Sequence, residues 1–252
     1  MSTTKMFALL GFMSALSTVS ASAMTAKLPG GFVPSPVAAS VPAAVKAAVL
    51  NPARPVWHQA RDAVRHPGEV VAFSGIKTGD VVVDFVPGDS YYTRILSALV
   101  GDKGKVYALV PLPAGMRDGE MVRELEDKAR KAGKPLPPNP VDTVLALMNI
   151  ARYRNVTVLW QMLYQYDAQF AVPEQVDAVL SANAYHDMQN GSYGKLDMAA
   201  ENKMVFLALK PGATYTIVEA AAVKGAGGGA PKTLRRSDED LVKKEMLAAG
   251  FV

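Results

Sequence analysis

Two stretches of the chain place polar side chains directly after apolar runs. In the first, residues 81–86 are followed by Pro87-Gly88-Asp89-Ser90 and then by a helical pattern. In the second, residues 176–182 are followed by Asn183-Ala184-Tyr185-His186-Asp187. If both apolar runs are parallel strands, these polar groups lie at the carboxyl edge of one sheet, where α/β proteins bind nucleotide-like ligands. The sequence therefore predicts a small-molecule site at that edge.

The first stretch offers a backbone suited to a close ligand contact. Gly88 can adopt a positive φ and let a ligand approach the main chain. Ser90 and Thr93 could cap the following helix or contact the ligand, and Asp84 is a carboxyl inside an apolar strand that needs hydrogen-bond partners. A single glycine is not G-x-G-x-x-G, however, so an ordinary strand-to-helix turn explains these residues equally well.

The second stretch contains a candidate base. The imidazole of His186 can accept a proton near neutral pH, and Asp187 could orient it or bind a ligand. The alternative is a loop capped by its own Asn and Asp, with a histidine that has only a surface role.

Two further groups are weaker candidates. His58, Arg61, Asp62, Arg65 and His66 have helical spacing near the N-terminus, and we interpret them as a solvated, salt-bridged face. An aromatic set could stack on a purine ring, although aromatic residues more often serve packing. Its members are Tyr91, Tyr92, Trp160, Tyr164 and Tyr166, with Asp167 nearby.

Strand and helix patterns alternate five times between residue 81 and the C-terminus. The expected strands are 81–86, 105–110, 156–160, 176–182 and 213–220, and the expected helices include 92–100, 118–132, 142–153 and 198–209. A helix over residues 59–73 is expected to break at His66-Pro67. This alternation predicts an α/β fold with a doubly wound, mostly parallel sheet and helices on both faces. The Gly-rich residues 223–233 are interpreted as a loop.

Composition excludes several classes of site. The chain has no cysteine, which excludes thiol catalysis, zinc-thiolate sites and iron–sulfur clusters. Its formal charge is only +4, without a basic block, so we expect no nucleic-acid partner. No metal site is predicted.

The N-terminus has the pattern of a bacterial secretory signal peptide. Lys5 precedes a short apolar run over residues 6–16, and Ala21-Ser22-Ala23 is a cleavage pattern. We therefore expect a signal peptide at 1–23, an Ala/Pro-rich leader at 24–53 with a short helix near 43–49, and a folded domain at 54–252. This predicts a periplasmic or secreted protein with no stable membrane span after cleavage.

Taken together, these residues resemble class I S-adenosylmethionine-dependent methyltransferases, and more closely an exported bacterial family of predicted methyltransferases. The resemblance covers residues 54–252. It rests on the following motifs, in this order: Arg61-Asp62-x-x-Arg65-His66-Pro67, Val83-Asp84-x-x-Pro87-Gly88-x-x-Tyr91-Tyr92-Thr93, Gly104-Lys105-Val106-Tyr107-Ala108, Asn183-x-Tyr185-His186-Asp187-Met188 and Leu209-Lys210-Pro211-Gly212.

The resemblance implies S-adenosylmethionine as cofactor and methyl transfer to an unknown, small-molecule acceptor. It implies that His186 and Tyr185 are catalytic, with His186 as the base. It also implies a cofactor-binding set at the strand ends: Asp84, Gly88, Ser90, Tyr91, Thr93, Asn183 and Asp187.

Three departures from the family pattern lead to further expectations. Asp89 and Ser90 replace small glycines, and Val110 replaces the acid that usually holds the ribose, so cofactor binding is expected to be weakened. The chain ends at Val252, where the fold usually continues, so the C-terminal edge strands are expected to be missing. The alternative function is a non-catalytic periplasmic module that binds small molecules on the same fold. A nicotinamide-dependent oxidoreductase is disfavoured, because G-x-G-x-x-G is lacking.

Overall fold

The computed structural model describes residues 5–12, 35–112, 130–133, 140–163 and 169–252. Within these residues the chain forms one six-stranded sheet in which all strand pairs are parallel. The strands are β1 (Met6–Phe12), β2 (Val81–Phe85), β3 (Lys105–Leu112), β4 (Val156–Met162), β5 (Val176–Ala182) and β6 (Leu209–Ala220).

The order of strands across the sheet is β1-β6-β5-β2-β3-β4. From β2 the chain proceeds to β3 and β4 on one side, and then returns to β5 and β6 on the other side. The direction therefore reverses between β2 and β5, which makes their carboxyl ends the topological switch point of the sheet. The predicted doubly wound fold and its five strands after residue 81 are confirmed.

Helices cover both faces of the sheet. Before β2 lie α1 (Ala43–Val49), α2 (Val56–Gln59), α3 (Asp62–Arg65) and α4 (Pro67–Ser74), and after it α5 (Tyr91–Val100) and α6 (Pro140–Leu145). The later helices are α7 (Tyr185–Asn190), α8 (Met198–Ala208), α9 (Ala230–Leu234) and α10 (Glu239–Ala249). The expected break at His66-Pro67 is confirmed: α3 ends at Arg65, and His66 has a φ of 44°.

Two hydrophobic cores follow from the side-chain alternation of the strands. Val82 of β2 faces the first core, which α1, α4 and α5 cover, whereas Val83 faces the second core under α8 and α10. Because successive side chains in a strand point to opposite faces, β2 is apolar on both and serves both cores.

The folded unit begins earlier than residue 54, which corrects the expected domain boundary. Val45 and Val49 of α1 are buried in the first core against α4 and α5. Their spacing with Val41 and Ala48 gives α1 an apolar face, which the Ala/Pro-rich composition of the leader conceals.

The N-terminal apolar run lies at one edge of the sheet. Strand β1 pairs with residues 214–220 of β6 in parallel, from Met6 opposite Thr214 to Phe12 opposite Ala220. Lys5 adds a hydrogen bond from its Nζ to the carbonyl of Phe206, and the N–H of Val252 donates to the carbonyl of Lys5. Strand β1 thus occupies the position beside β6, where C-terminal strands were expected to be missing. Signal cleavage stays a prediction.

Several local expectations need correction or fall outside the described residues. Residues 140–153 form α6 and two short 3-10 helices, not one helix, and the expected loop at 223–233 includes a 3-10 turn and α9. The predicted helix at 118–132 lies almost wholly outside the described residues, as do Tyr164, Tyr166 and Asp167. No helix among the described residues is both long and apolar enough to cross a membrane.

Candidate functional site

The switch point is flanked by non-glycine residues with left-handed backbone. Val86 and Ser90 after β2 have φ values of 62° and 66°, and Asn183 after β5 has a φ of 55°. A positive φ is especially unfavourable for a β-branched residue such as Val86. Strained conformations of this kind cluster at functional sites, because the surrounding structure must hold them. Among the described residues, His66 and Arg235 also have positive φ values, of 44° and 51°. Three of the five non-glycine residues with this backbone therefore lie in the two loops at the switch point.

Gly88 leaves open space beside the loop after β2. It has a φ of 54°, and a Cβ atom placed there would meet no heavy atom within 4 Å. The side of the main chain at this position is therefore open, and contact with a ligand there stays a prediction.

Asp84 lies beneath this loop and supports the start of α5. Its Oδ2 accepts a hydrogen bond of 2.5 Å from Oγ1 of Thr93, and both residues are buried. Burial raises the pKa of Asp84 to about 7, although the hydrogen bonds from Thr93 oppose that rise. Asp84 and Thr93 thus bind each other and stabilise the turn from within.

Ser90 is also directed inwards. It makes no side-chain cap on α5; its Oγ accepts a hydrogen bond of 3.2 Å from Nε of Arg94. Arg94 in turn donates from Nη1 to the hydroxyl of Tyr153 at 3.1 Å. The backbone N–H of Ser90 donates to the carbonyl of Pro87, and its carbonyl accepts from the N–H of Arg94. Both the side chain and the backbone of Ser90 therefore fix the loop.

The N-terminal helices clamp the same loop. Nη2 of Arg61 donates to Oδ2 of Asp89 at 2.6 Å, and Nε2 of His58 lies 3.4 Å from the same oxygen. Burial would raise the pKa of Asp89, but the contact with His58 and the charge of Arg61 hold it well below its usual range. His58 is 0% exposed. The interpretation of His58 and the polar residues that follow it, up to His66, as a solvated face is therefore wrong.

A buried ion pair stabilises the N-terminal segment that contacts Asp89. Arg54 binds Asp62 through two hydrogen bonds of 2.8 Å, and the hydroxyl of Tyr91 donates to Asp62 at 2.5 Å. The guanidinium groups of Arg54, Arg61 and Arg65 lie 4.8–5.2 Å from the centre of the Tyr91 ring. Tyr91, an expected cofactor residue, therefore joins α5 to the N-terminal helices.

On the other side of the switch point, His186 is held by a carboxyl that the sequence analysis missed. Oε2 of Glu219 lies 2.7 Å from Nδ1 of His186, and Oε1 accepts from the backbone N–H of Tyr185 at 2.6 Å. Nε2 of His186 is buried without a hydrogen bond, 3.4 Å from Oδ1 of Asp187. The sequence offered one indication of Glu219: it is an acidic residue near the end of the apolar strand β6.

The other candidates of this stretch differ in their surroundings. The hydroxyl of Tyr185 donates to Glu245 at 2.8 Å and accepts from Asn202 at 2.7 Å, within the second core. Asp187 accepts hydrogen bonds from Arg235 and Asn190, at 2.9 Å and 3.1 Å. Asn183 is exposed at the end of β5. Asn183 therefore remains available to a ligand, and Asp187 is available only through lone pairs that these two bonds leave free. Tyr185 is engaged in packing.

The end of β3 offers no carboxylate. Val110 is only 4% exposed and belongs to the first core, beside Trp160 of β4. The described residues also contain no group of three or more His, Asp or Glu that could hold a metal ion.

Comparison with known proteins gives similarity to solved structures only. No family model and no curated protein matches the chain. A SAM-dependent methyltransferase from Aquifex aeolicus is 23% identical over 76% of this chain and 82% of its own, with a TM-score of 0.46. Fibrillarin from Aeropyrum pernix with bound S-adenosyl-L-methionine is 12% identical (72% and 64% covered, TM-score 0.37), and a possible exported protein from Bordetella parapertussis is also 12% identical (82% and 71%, 0.44). At these identities the similarity concerns the fold alone.

Proposed function

We propose that this chain binds S-adenosylmethionine at the switch point between β2 and β5 and transfers its methyl group to an acceptor. The observation that carries the proposal is the meeting of two loops there, one with the open backbone at Gly88 and the other with His186. Ligands of doubly wound sheets bind in this crevice, outside the carboxyl ends of the strands. Among the proteins that follow this rule, the ordered motifs of the sequence favour a methyltransferase.

The residues divide into those that face the cofactor and those that support them. The backbone of Gly88 and Asp89, with Asn183 and Asp187, forms the cofactor-binding surface. Asp84, Thr93 and Tyr91 hold the first loop in place. Bound S-adenosylmethionine supplies a methyl group on a sulfonium, and displacement there depends mainly on proximity and alignment. His186 takes the proton of an acceptor that carries one.

The surroundings of Val110 and Asp89 favour a second candidate, a small-molecule-binding module without catalysis. Val110 lies in the core, so β3 supplies no acceptor for ribose hydroxyls, each of which would contribute roughly 1.5–3 kcal/mol through a charge-assisted hydrogen bond. Asp89 keeps a carboxylate in the loop.

Calorimetric titration of the full chain with S-adenosylhomocysteine tests the first candidate. Micromolar binding is the expected result, whereas a folded sample that binds nothing at millimolar concentration would refute it. Asp89→Asn removes the loop charge and is expected to tighten binding if that charge is what weakens it. Asp102→Asn, an exposed acid in the turn after α5, is the matched control. An unchanged affinity for both variants would favour the binding module.

We also propose export to the periplasm, on the strength of the signal pattern at residues 1–23. The test is the intact mass of the protein recovered from the periplasmic fraction of a bacterial host. Loss of the first 23 residues is expected, and a full-length cytoplasmic product would contradict the proposal.

A further inference from the structure

We propose that Glu219 is a positioning residue that holds His186 as the tautomer protonated on Nδ1, so that Nε2 is the atom that accepts a proton. The inference deepens the proposed methyl transfer and rests on it for the identity of the reaction. It assigns the acceptor to the class of molecules with an ionisable X–H group: hydroxyls, thiols or protonated amines.

The two carboxylate oxygens of Glu219 contact different atoms. The side chain is 3% exposed. Oε1 accepts from the N–H of Tyr185 at 2.6 Å, and Oε2 lies 2.7 Å from Nδ1 of His186. An ionised carboxylate can only accept hydrogen bonds. Nδ1 must therefore be the donor, and the lone pair of a neutral imidazole is left on Nε2.

Nε2 has no partner of its own among the described residues. It is buried without a hydrogen bond, and the nearest carboxylate oxygen, Oδ1 of Asp187, is 3.4 Å away. That carboxylate already accepts from Asn190 and Arg235. A buried acceptor without a donor destabilises the fold, so this atom points to a donor that a ligand supplies.

The proton balance of the reaction then assigns the acceptor class. The bond between X and the methyl carbon forms while the bond from that carbon to sulfur breaks, and the sulfonium becomes a neutral thioether. The proton of X–H passes to Nε2 and leaves to solvent after the product departs. An acceptor that reacts without losing a proton would have no use for the free Nε2.

The alternative is that Glu219 serves only to cap the N-terminus of α7. Ala184, the N-cap residue of α7, provides no side-chain cap, and Glu219 supplies one from β6 through Tyr185. Glu219→Gln separates the two roles. The amide oxygen can still accept from Tyr185, but the NH2 group then faces Nδ1 as a donor, and this forces the proton onto Nε2.

The experiment is nitrogen NMR on the full chain labelled with ¹⁵N-histidine. The sequence has three histidines, so His186→Gln assigns the signals of His186 by subtraction. In the native protein, over a series of pH values in the alkaline range, we expect a protonated Nδ1 and an unprotonated Nε2. In Glu219→Gln we expect the reverse. Glu245→Gln, which alters a half-buried acid that contacts Tyr185 instead of His186, is the control and should leave the tautomer unchanged.

Three results would overturn the inference: a native Nε2–H tautomer, two protonated nitrogens throughout that range, or a Glu219→Gln spectrum like the native one. If Glu219→Gln does not fold, Glu219→Asp replaces it, because the shorter acid withdraws from Nδ1 and should give a mixture of tautomers. None of these spectra requires cofactor. Failure of this inference is thus distinguishable from failure of the calorimetric test of the proposed function.

Discussion

Removing Asp62 should destabilise the whole protein, because it leaves the guanidinium of Arg54 buried without its counter-charge. The two side chains are 1% and 5% exposed, and two hydrogen bonds of 2.8 Å join them. Breaking such a pair by deleting one partner costs about 3–5 kcal/mol. Arg54 keeps its bond to the carbonyl of Val49, so we expect Asp62→Ala to lose about 3 kcal/mol of unfolding free energy. Urea denaturation at neutral pH measures this loss.

Three further variants test whether the unpaired charge of Arg54 causes the loss of stability. Tyr91→Phe removes only a hydrogen bond to Asp62 and should cost about 1.5 kcal/mol. Glu69→Ala removes an exposed acid on α4 and should change stability by less than about 0.5 kcal/mol. Adding Arg54→Met to Asp62→Ala removes the stranded charge and should recover part of the loss. A cost below about 1 kcal/mol for Asp62→Ala, or no recovery in the double variant, would refute the reasoning.

Two further predictions concern the loop after β2. Val86→Gly should be more stable than Val86→Ala by about 1 kcal/mol in urea denaturation, because alanine keeps the strained φ of 62°; the usual order, with glycine the less stable, would show that this strain is absent. Asp84→Asn should gain stability relative to the native protein as pH rises from about 4 to about 7: with its folded pKa raised to about 7, Asp84 is protonated in the folded chain but ionises in the unfolded one, so native stability falls across that window. A constant difference between the two proteins over this range would contradict the raised pKa.

The central strands were predictable because a strand buried on both faces is a continuous apolar run. Residues 176–182 were predicted with their observed limits, and β2 within one residue. Strand β6 begins at Leu209, four residues before the expected start, because Pro211 and Gly212 read as a turn but lie within the strand. The pairing of β6 with β5 passes from Leu209 directly to Thr214, with a shift of register, and Gly212 has a φ of 81°. The turn preference of these residues therefore produces an irregularity within the strand and does not end it.

The placement of the candidate residues at strand ends was predictable, but the contacts among them were not. The positions of Gly88 and His186 follow from strand ends, which are local features of the sequence. Glu219 contacts a residue 33 positions away, and Asp89 pairs with Arg61 across 28 positions. No spacing rule within a single element relates such residues. For the same reason the burial of His58 could not be inferred from its helix alone.

The place of β1 makes maturation of the chain a competition between folding and recognition. In the folded full-length chain, seven residues of the predicted export segment lie in parallel register with β6. If this segment is the signal peptide proposed above, a chain that folds early would hide it from an export receptor. The precursor would then have to be captured while it is still unfolded. A chain that loses the segment meets the opposite problem: the backbone of β6 becomes an open edge, ready to pair with any extended strand that reaches it.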